Sequence, residues 1–272
     1  YYFSEKGVCE MLLLTVVYNR SMECIIDEIK DIKQCFEDKK VILGIAENII
    51  EDTHIVKFFC SDDNLSDSSI KIFNLQVANM LYKIVVMEFC KKGLENFLDE
   101  SYFFLQYDEI EQIKPRIQES LISEGMISGP NAVYCMNRKN IIIDKITRCI
   151  EENNEINISG FLTFRTKDLK GDLECIVDKV VEEYMVEKEY NEFIKLLKYF
   201  VDVQDSKVDE INILIEKNGD YRLIDEEGND LIENMMMELP DVKFDSKENR
   251  EELIISTMIT NAPNKVIIHC VE

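Results

Sequence analysis

SGFLTFRTKDLKGDLECIVDKVVEEYMVEKEYNEFIKLLKYFVDVQ, residues 159–204, is the longest segment with sustained helical patterning and no proline. Leu162, Leu169, Leu173, Ile176, Val177, Val180 and Tyr184 recur at spacings that line one side of a helix. Tyr190, Phe193, Ile194, Leu197, Phe200 and Val201 do so again. Between the two stripes lies Val186-Glu187-Lys188-Glu189, where the apolar face is interrupted, so the pattern predicts a bend or short loop there. Size supports the break. About 45 residues of unbroken helix would be roughly 68 Å long, whereas a compact domain of this length is near 50 Å across. Two helices folded back on each other would bury both stripes, with Ser159 as the N-terminal cap.

Downstream the period changes. Ile211, Ile213 and Ile215 alternate, Asn218-Gly219 follows, and Tyr221 to Asp225 alternates again, which predicts a hairpin. A two-residue loop would place Lys217 opposite Asp220, Leu214 opposite Leu223 and Ile213 opposite Ile224. Glu226-Glu227-Gly228-Asn229 is a second polar turn, followed by a short helix through Leu231, Ile232 and Met235 to Met237. Pro240 to Lys247 reads as loop, Glu248 to Ile259 as helix and Lys265 to Val271 as a final strand. Ala262, preceding Pro263, should be extended.

Upstream, Met11 to Tyr18 is a short apolar run suited to an interior strand. A helix is expected at about 21–37, with Ile25, Ile26, Ile29, Ile32 and Phe36 as its stripe and Asn19 or Ser21 as its cap. Strands follow at Val41 to Ile50 and Thr53 to Cys60, giving β-α-β-β. Ser66 or Asp67 can cap the next helix, whose Ile70, Phe73, Val77, Leu81, Ile84, Val85 and Phe89 face the core, and Gly93 stops it. Helical pattern continues from Leu94 to Ser123, where Pro115 should bend or split it. Gly125 to Asn131 is the best internal hinge, and Asn137 can cap a helix running to about Asn153 with Ile142, Ile146, Cys149 and Ile150 inward.

GFLTFR at 160–165, YMVEKEYNEFIKLLKYFVDVQ at 184–204, MNRKNIIIDKI at 136–146 and ITNAPNKVIIH at 259–269 resemble the YtxC-like family, whose members are attributed to sporulation in endospore-forming bacteria. The resemblance extends over most of the chain from Met11. It implies a process rather than a reaction, because the family brings no catalytic residues to carry over.

Composition narrows the classes. Hydrophobic content of 46% over 272 residues fits a globular fold. With 54 acidic against 31 basic residues the net charge is −23, which repels phosphate backbones and anionic headgroups and argues against nucleic-acid binding. The nine cysteines include no CxxC pair and sit in apolar patterns, so they read as buried reduced thiols of a cytoplasmic protein. No local metal-ligand spacing is present and no cofactor motif of the Walker A, GxGxxG or GxSxG kind occurs. No apolar run reaches the roughly 18–20 residues of a membrane span; the best candidate, Ile70 to Cys90, reads as a buried amphipathic helix interrupted by Lys71, Asn74, Gln76, Asn79, Lys83 and Glu88.

The individual site candidates each carry two readings. Asp225, Glu226, Glu227 and Asp230 form either a solvated turn or an oxygen-ligand loop, but lack the order of an EF-hand. His54 and His269 fall in expected strands, where a histidine is either packed and hydrogen-bonded or catalytic. His269 and Cys270 would point to opposite sheet faces, which argues against a dyad of that pair. Arg165, among Phe161, Leu162 and Phe164, either pairs with an acid between helices or stacks on a ring. Glu187, Lys188, Glu189 and Tyr190 form either a functional surface at the expected bend or a helix junction and its cap.

The sequence thus predicts an α+β fold, mainly helical: a leader at 1–10, an N-terminal β-α-β-β unit at 11–62, a helical middle at 63–204 and a small C-terminal α/β unit at 205–272. The expected function is a protein-interaction or regulatory role exercised on an unknown protein partner, with Arg165 and Glu187 to Tyr190 as candidate contacts. The alternative is a small-substrate enzyme, hydrolase-like, whose residues converge only in three dimensions. The leader expectation rests on codons: Glu5-Lys6-Gly7-Val8 can be encoded GAA-AAA-GGA-GUG, which contains the ribosome-binding sequence AAGGAG a few nucleotides before Met11. Protein expressed from its own upstream DNA should therefore give an intact mass beginning at Met11, and a mass that includes Tyr1 would refute the codon argument.

Overall fold

The N-terminal apolar run folds as β2 (Cys9–Asn19), preceded by the two-residue strand β1 (Tyr2–Phe3), which pairs with it. The computed structural model describes residues 2–3, 9–20, 22, 24–61, 66–122, 131–215, 221–238 and 247–270. The fold is α+β and mainly helical, and the chain divides into two compact units, residues 1–184 and 185–272. Leu14, Val16 and Tyr18 of β2 are buried on one sheet face, and Thr15 is buried on the other. After helix α1 (Cys24–Asp38) come β3 (Leu43–Ile50) and β4 (Thr53–Ser61), joined through Glu51-Asp52 in an antiparallel hairpin that pairs Ile50 with Thr53. The expected β-α-β-β unit is present, with β4 between β2 and β3. On α1, Ile25, Ile29, Ile32 and Phe36 are buried and Ile26 is exposed.

Helix α2 (Asp67–Lys92) is the centre of the first unit. Ser66 caps it, its hydroxyl accepting from the Ser69 N–H at 3.1 Å. Val77, Ala78, Met80, Leu81, Tyr82, Ile84, Val85 and Val86 are all buried, and at about 100° per residue these positions cover roughly two thirds of the helix circumference, leaving Gln76, Asn79 and Lys83 half-buried on the remaining side. The expectation that no run reaches span length is corrected, because α2 is long and apolar enough to cross a membrane by length and composition, although half of its apolar window lies buried within the protein. The Phe73 ring meets Phe58 of β4 at 5.3 Å and Phe36 of α1 at 6.2 Å, both edge-on, which joins sheet and helices at one aromatic corner.

Gly93 ends α2 as expected, but without a left-handed turn: its φ is −108°, and its N–H donates to the Phe89 carbonyl at 2.7 Å. The glycine is needed for space, because a Cβ there would lie 2.9 Å from the buried Phe89 ring. Helix α3 (Leu94–Ser101) follows, then α4 (Tyr107–Ile122), which runs through Pro115 unbroken. An interior proline costs about 3 kcal/mol, but Ile113, Ile117 and Leu121 are fully buried along one face, and each contributes about 1.5–3 kcal/mol by burial. Burial outweighs the lost hydrogen bond.

Helix α5 (Ala132–Glu151) starts at Asn131 rather than Asn137, which lies inside it. A short strand missed in the sequence, β5 (Glu155–Asn157), pairs parallel with Thr15–Val17 of β2. Asn157 then caps α6 (Ile158–Phe164) by accepting from the Gly160 N–H at 3.0 Å, a role expected of Ser159. The break in the central stretch falls at Arg165. Beyond it, α7 (Thr166–Val203) is continuous for 38 residues, so the expected bend at Val186 to Glu189 is absent. The segment there holds good helix formers with no glycine or proline, and ion pairs such as Lys188–Glu192 follow the i,i+4 spacing. A change in the apolar stripe's phase did not require a change in the backbone.

The first unit holds the buried half of α7, with Leu169, Leu173, Ile176, Val177, Val180, Val181 and Tyr184 inward. In the second unit, β6 (Glu210–Ile215) lies between β7 (Tyr221–Asp225) and β8 (Lys265–Cys270), with α8 (Leu231–Glu238) and α9 (Lys247–Asn261) in the crossover to the parallel strand β8. The N- and C-terminal strands therefore belong to separate sheets. The hairpin register differs from expectation by one residue: Ile213 faces Leu223 and Leu214 faces Arg222. Ile211 and Leu223 are fully buried with Leu231. The expected register would have turned Arg222 to that face instead, because a one-residue slip exchanges the two faces of a strand. The turn itself, including Asn218-Gly219, lies outside the described residues, as do Pro240 to Asp245 and most of the expected hinge from Gly125.

Ala262, expected to be extended, has φ 39° and its N–H closes α9 on the Met258 carbonyl at 2.9 Å. The residue before a proline avoids the right-handed helical region, and here it turns left-handed rather than extending. Among these features Gly93 offers the sharpest test: Gly93→Ala, a change that helix propensity alone would favour, should destabilise the protein by about 1–3 kcal/mol through the clash with Phe89, as measured by urea unfolding. A variant as stable as wild type would show that the ring moves aside at little cost.

Candidate functional site

Gln76, Asn79 and Lys83 interrupt the apolar sequence of α2 at spacings of three and four, which places them on one helix face. Two neighbouring helices answer with polar stripes of the same period: Glu28 and Asp31 beside Ile32 on α1, and Lys139, Asn140 and Asp144 beside Met136 and Ile143 on α5. Together with Leu75 and Tyr82 of α2 and Ile122 of α4, these residues line a cavity of about 580 Å³ within the first unit. That volume lies in the range of small-molecule sites.

The cavity's charges are partly committed. Lys83 Nζ lies 3.1 Å from Glu28 Oε2, and Lys139 Nζ lies 5.1 Å from the centre of the Tyr82 ring. The Tyr82 hydroxyl donates to the Leu121 carbonyl at 2.8 Å, and burial pushes its pKa well above the ordinary tyrosine value. The side chains of Gln76, Asn79, Asn140, Asp31 and Asp144 take no partner among the described residues. The arrangement can bind, because it combines free amide donors and acceptors with two uncommitted carboxylates above apolar wall residues.

A second polar cluster ties α5 to α7. Asp172, 9% exposed, accepts from Lys145 Nζ at 2.6 Å and from Arg138 Nη1 at 3.1 Å, while Arg138 Nε donates to the Tyr134 hydroxyl at 3.2 Å. Burial alone would raise the Asp172 pKa, but the hydrogen bonds and charges of Lys145 and Arg138 outweigh it and hold the carboxyl below its ordinary 3.8. The cluster escaped the sequence reading because Arg138 and Asp172 are separated by 34 residues and neither stands out in a chain so rich in charge.

The residues singled out in the sequence are dispersed. Arg165 is exposed at the joint of α6 and α7, where it lines a cleft of about 330 Å³ with Lys145, Arg148, Phe161, Asp168 and Leu169. Its guanidinium has no acidic partner among the described residues. Glu187, Lys188, Glu189 and Tyr190 lie on α7 in the second unit, so they form no common site with Arg165 within either unit. His54 is packed and hydrogen-bonded: it stacks on Tyr18 at 4.9 Å, and Nδ1 lies 2.6 Å from Glu47 Oε1. Burial first, and then the Glu47 charge, push the Tyr18 pKa up to about 12. His269 Nε2 lies 2.7 Å from Asn212 Oδ1. The Asp225 carboxylate accepts the backbone N–H groups of Glu227 and Asn229 and the Asn229 side-chain amide, closing its own turn.

A family model for the YtxC-like family matches residues 75–272, which include all of α5 and α7 and most of the cavity's lining. The chain belongs to that family. A relative described as uncharacterized protein YtxC, from Bacillus subtilis (strain 168), is 26% identical over 247 residues, covering 83% of this chain and 86% of that protein. No solved structure matches. Family membership extends the likeness of the motifs at 136–146, 160–165, 184–204 and 259–269 to the helices that build the site, without supplying a reaction.

The Asp172 cluster gives a pH signature. Because the carboxyl's folded pKa is depressed, its stabilisation is complete above 3.8 and is lost as the pH falls through the folded value. Asp172→Asn should therefore be less stable than wild type at neutral pH. The gap in unfolding free energy should narrow as the pH is taken below 3.8, and a gap constant across that range would mean that the carboxylate's charge is irrelevant to its role.

Proposed function

We propose that the protein acts in the sporulation of an endospore-forming host as a cytoplasmic factor that binds a protein partner along the C-terminal half of α7. The observation that carries this reading is an uncovered helix seam. Val186, Tyr190, Phe193, Leu197 and Phe200 follow alternating spacings of four and three, the pattern of one side of a two-helix seam. Val186 and Tyr190 are each 63% exposed, and Phe193 and Phe200 are exposed too.

Sites of protein contact are enriched in tyrosine and other aromatics with apolar area at the centre and charge at the rim. The α7 seam has that composition, with Glu187, Lys188 and Glu189 beside Tyr190 as a mixed-sign rim. The partner it suits offers a short amphipathic helix whose apolar face meets the seam. The sporulation part of the proposal rests on the resemblance to the YtxC-like family, and the contact part on the seam.

The test is capture from cells taken through sporulation, with the full chain as bait and a Tyr190→Ala, Phe193→Ala double variant in parallel. Truncating a central aromatic anchor typically costs about 2 kcal/mol, or roughly 30-fold in affinity. A protein retained by wild type and lost by the folded variant, together with reduced spore yield in the variant strain, is the expected result. Equal recovery by both baits would remove the seam from the mechanism. Unchanged spore yield after deletion of the gene would remove sporulation.

A further inference from the structure

The cavity between α1, α2, α4 and α5 is independent of the α7 seam, and its chemistry is specific enough to name a ligand class. We infer that it binds a small organic amine, with ammonium groups on a methylene stem, so that the protein responds to a metabolite as well as to a partner.

Three observations converge. Gln76, Asn79 and Asn140 present side-chain amides to the cavity, and these take no partner among the described residues. Gln76 and Asn79 share the half-buried side of α2 with Lys83, so both amides are within reach of a ligand in the cavity. Next, the lining is acidic in balance, with Glu28, Asp31 and Asp144 against Lys83 and Lys139. Lys83 is engaged by Glu28, and Lys139 lies against the Tyr82 ring, whereas Asp31 of α1 and Asp144 of α5 pair with nothing among the described residues. The whole chain, at −23, adds a field that draws cations and repels anions. Finally, Ile32, Leu75 and Ile143 supply apolar wall between those polar groups, which suits a methylene stem better than a sugar or a nucleobase. A nucleotide or dicarboxylate would bring its charge against Asp31 and Asp144, and a fully apolar ligand would strand the amides without partners.

The amines themselves supply the probes. Spermidine and putrescine, titrated calorimetrically into the full chain at physiological salt, should bind with a stoichiometry of one and raise the thermal unfolding temperature. Glucose, citrate and ATP should do neither. An Asp31→Asn, Asp144→Asn double variant, altered at exposed positions that folding does not require, should bind at least ten-fold more weakly, and Asn140→Ala should weaken binding separately. Because an acidic protein also adsorbs polyamines over its surface, a Glu189→Gln, Asp202→Asn control on α7 must keep wild-type affinity. Equal loss in that control, several weak sites per chain, binding by citrate or ATP in place of the amines, or no binding at all would overturn the proposal. None of these outcomes bears on the α7 seam, which is read by partner capture.

Discussion

The burial of α2 over roughly two thirds of its circumference is the constraint from which the first unit follows. An apolar helix of 26 residues cannot rest on a single sheet face, so β4, α1, α4 and α5 must surround it. The aromatic corner of Phe36, Phe58 and Phe73 fixes one end against the sheet, and the Tyr82 hydroxyl on the Leu121 carbonyl fixes its flank against α4. Gln76, Asn79 and Lys83 hold the side of α2 that this burial leaves half-covered, and there they meet the polar stripes of α1 and α5. The cavity is where those stripes meet, so its polarity follows from where the apolar packing ends.

Helix α7 shows how one backbone can serve two surfaces. In its first half the apolar stripe packs into the first unit, and Asp172 on that half receives Lys145 and Arg138 from α5. Breaking such a cluster by removing its carboxylate leaves two cations beside an emptied site, a larger penalty than the net worth of the pairs themselves. In its second half the stripe resumes on another side of the helix, rotated by roughly 110° around the axis at 100° per residue. The hydrogen-bonded backbone is indifferent to that rotation. Packing is not, and the second stripe is exposed where the first is buried.

Much of the architecture was legible in the sequence because period and termination are local. The strands β2 and β4, the Ser66 cap, the stop at Gly93 and the strand alternation at Ile211 to Ile215 can be read within a dozen residues, since each depends on backbone sterics and on which side of one element is apolar. The α+β class and its order of parts follow from that reading. So does the hydrogen-bonded setting of His54 and His269.

Every choice settled by a neighbour distant in sequence depended on tertiary contacts. The continuity of α4 through Pro115 depends on buried side chains that repay a broken hydrogen bond, and the hairpin register depends on Leu231 lying over Leu223. The sequence already held Gln76, Asn79 and Lys83 at helical spacing, but their meaning as one wall of a cavity required Asp31 and Asn140 opposite them. Asp172 likewise gains its character from cations on another helix. Local sterics fix what each segment becomes, whereas burial and charge pairing are sums over neighbours, and those sums exist only once the chain has folded.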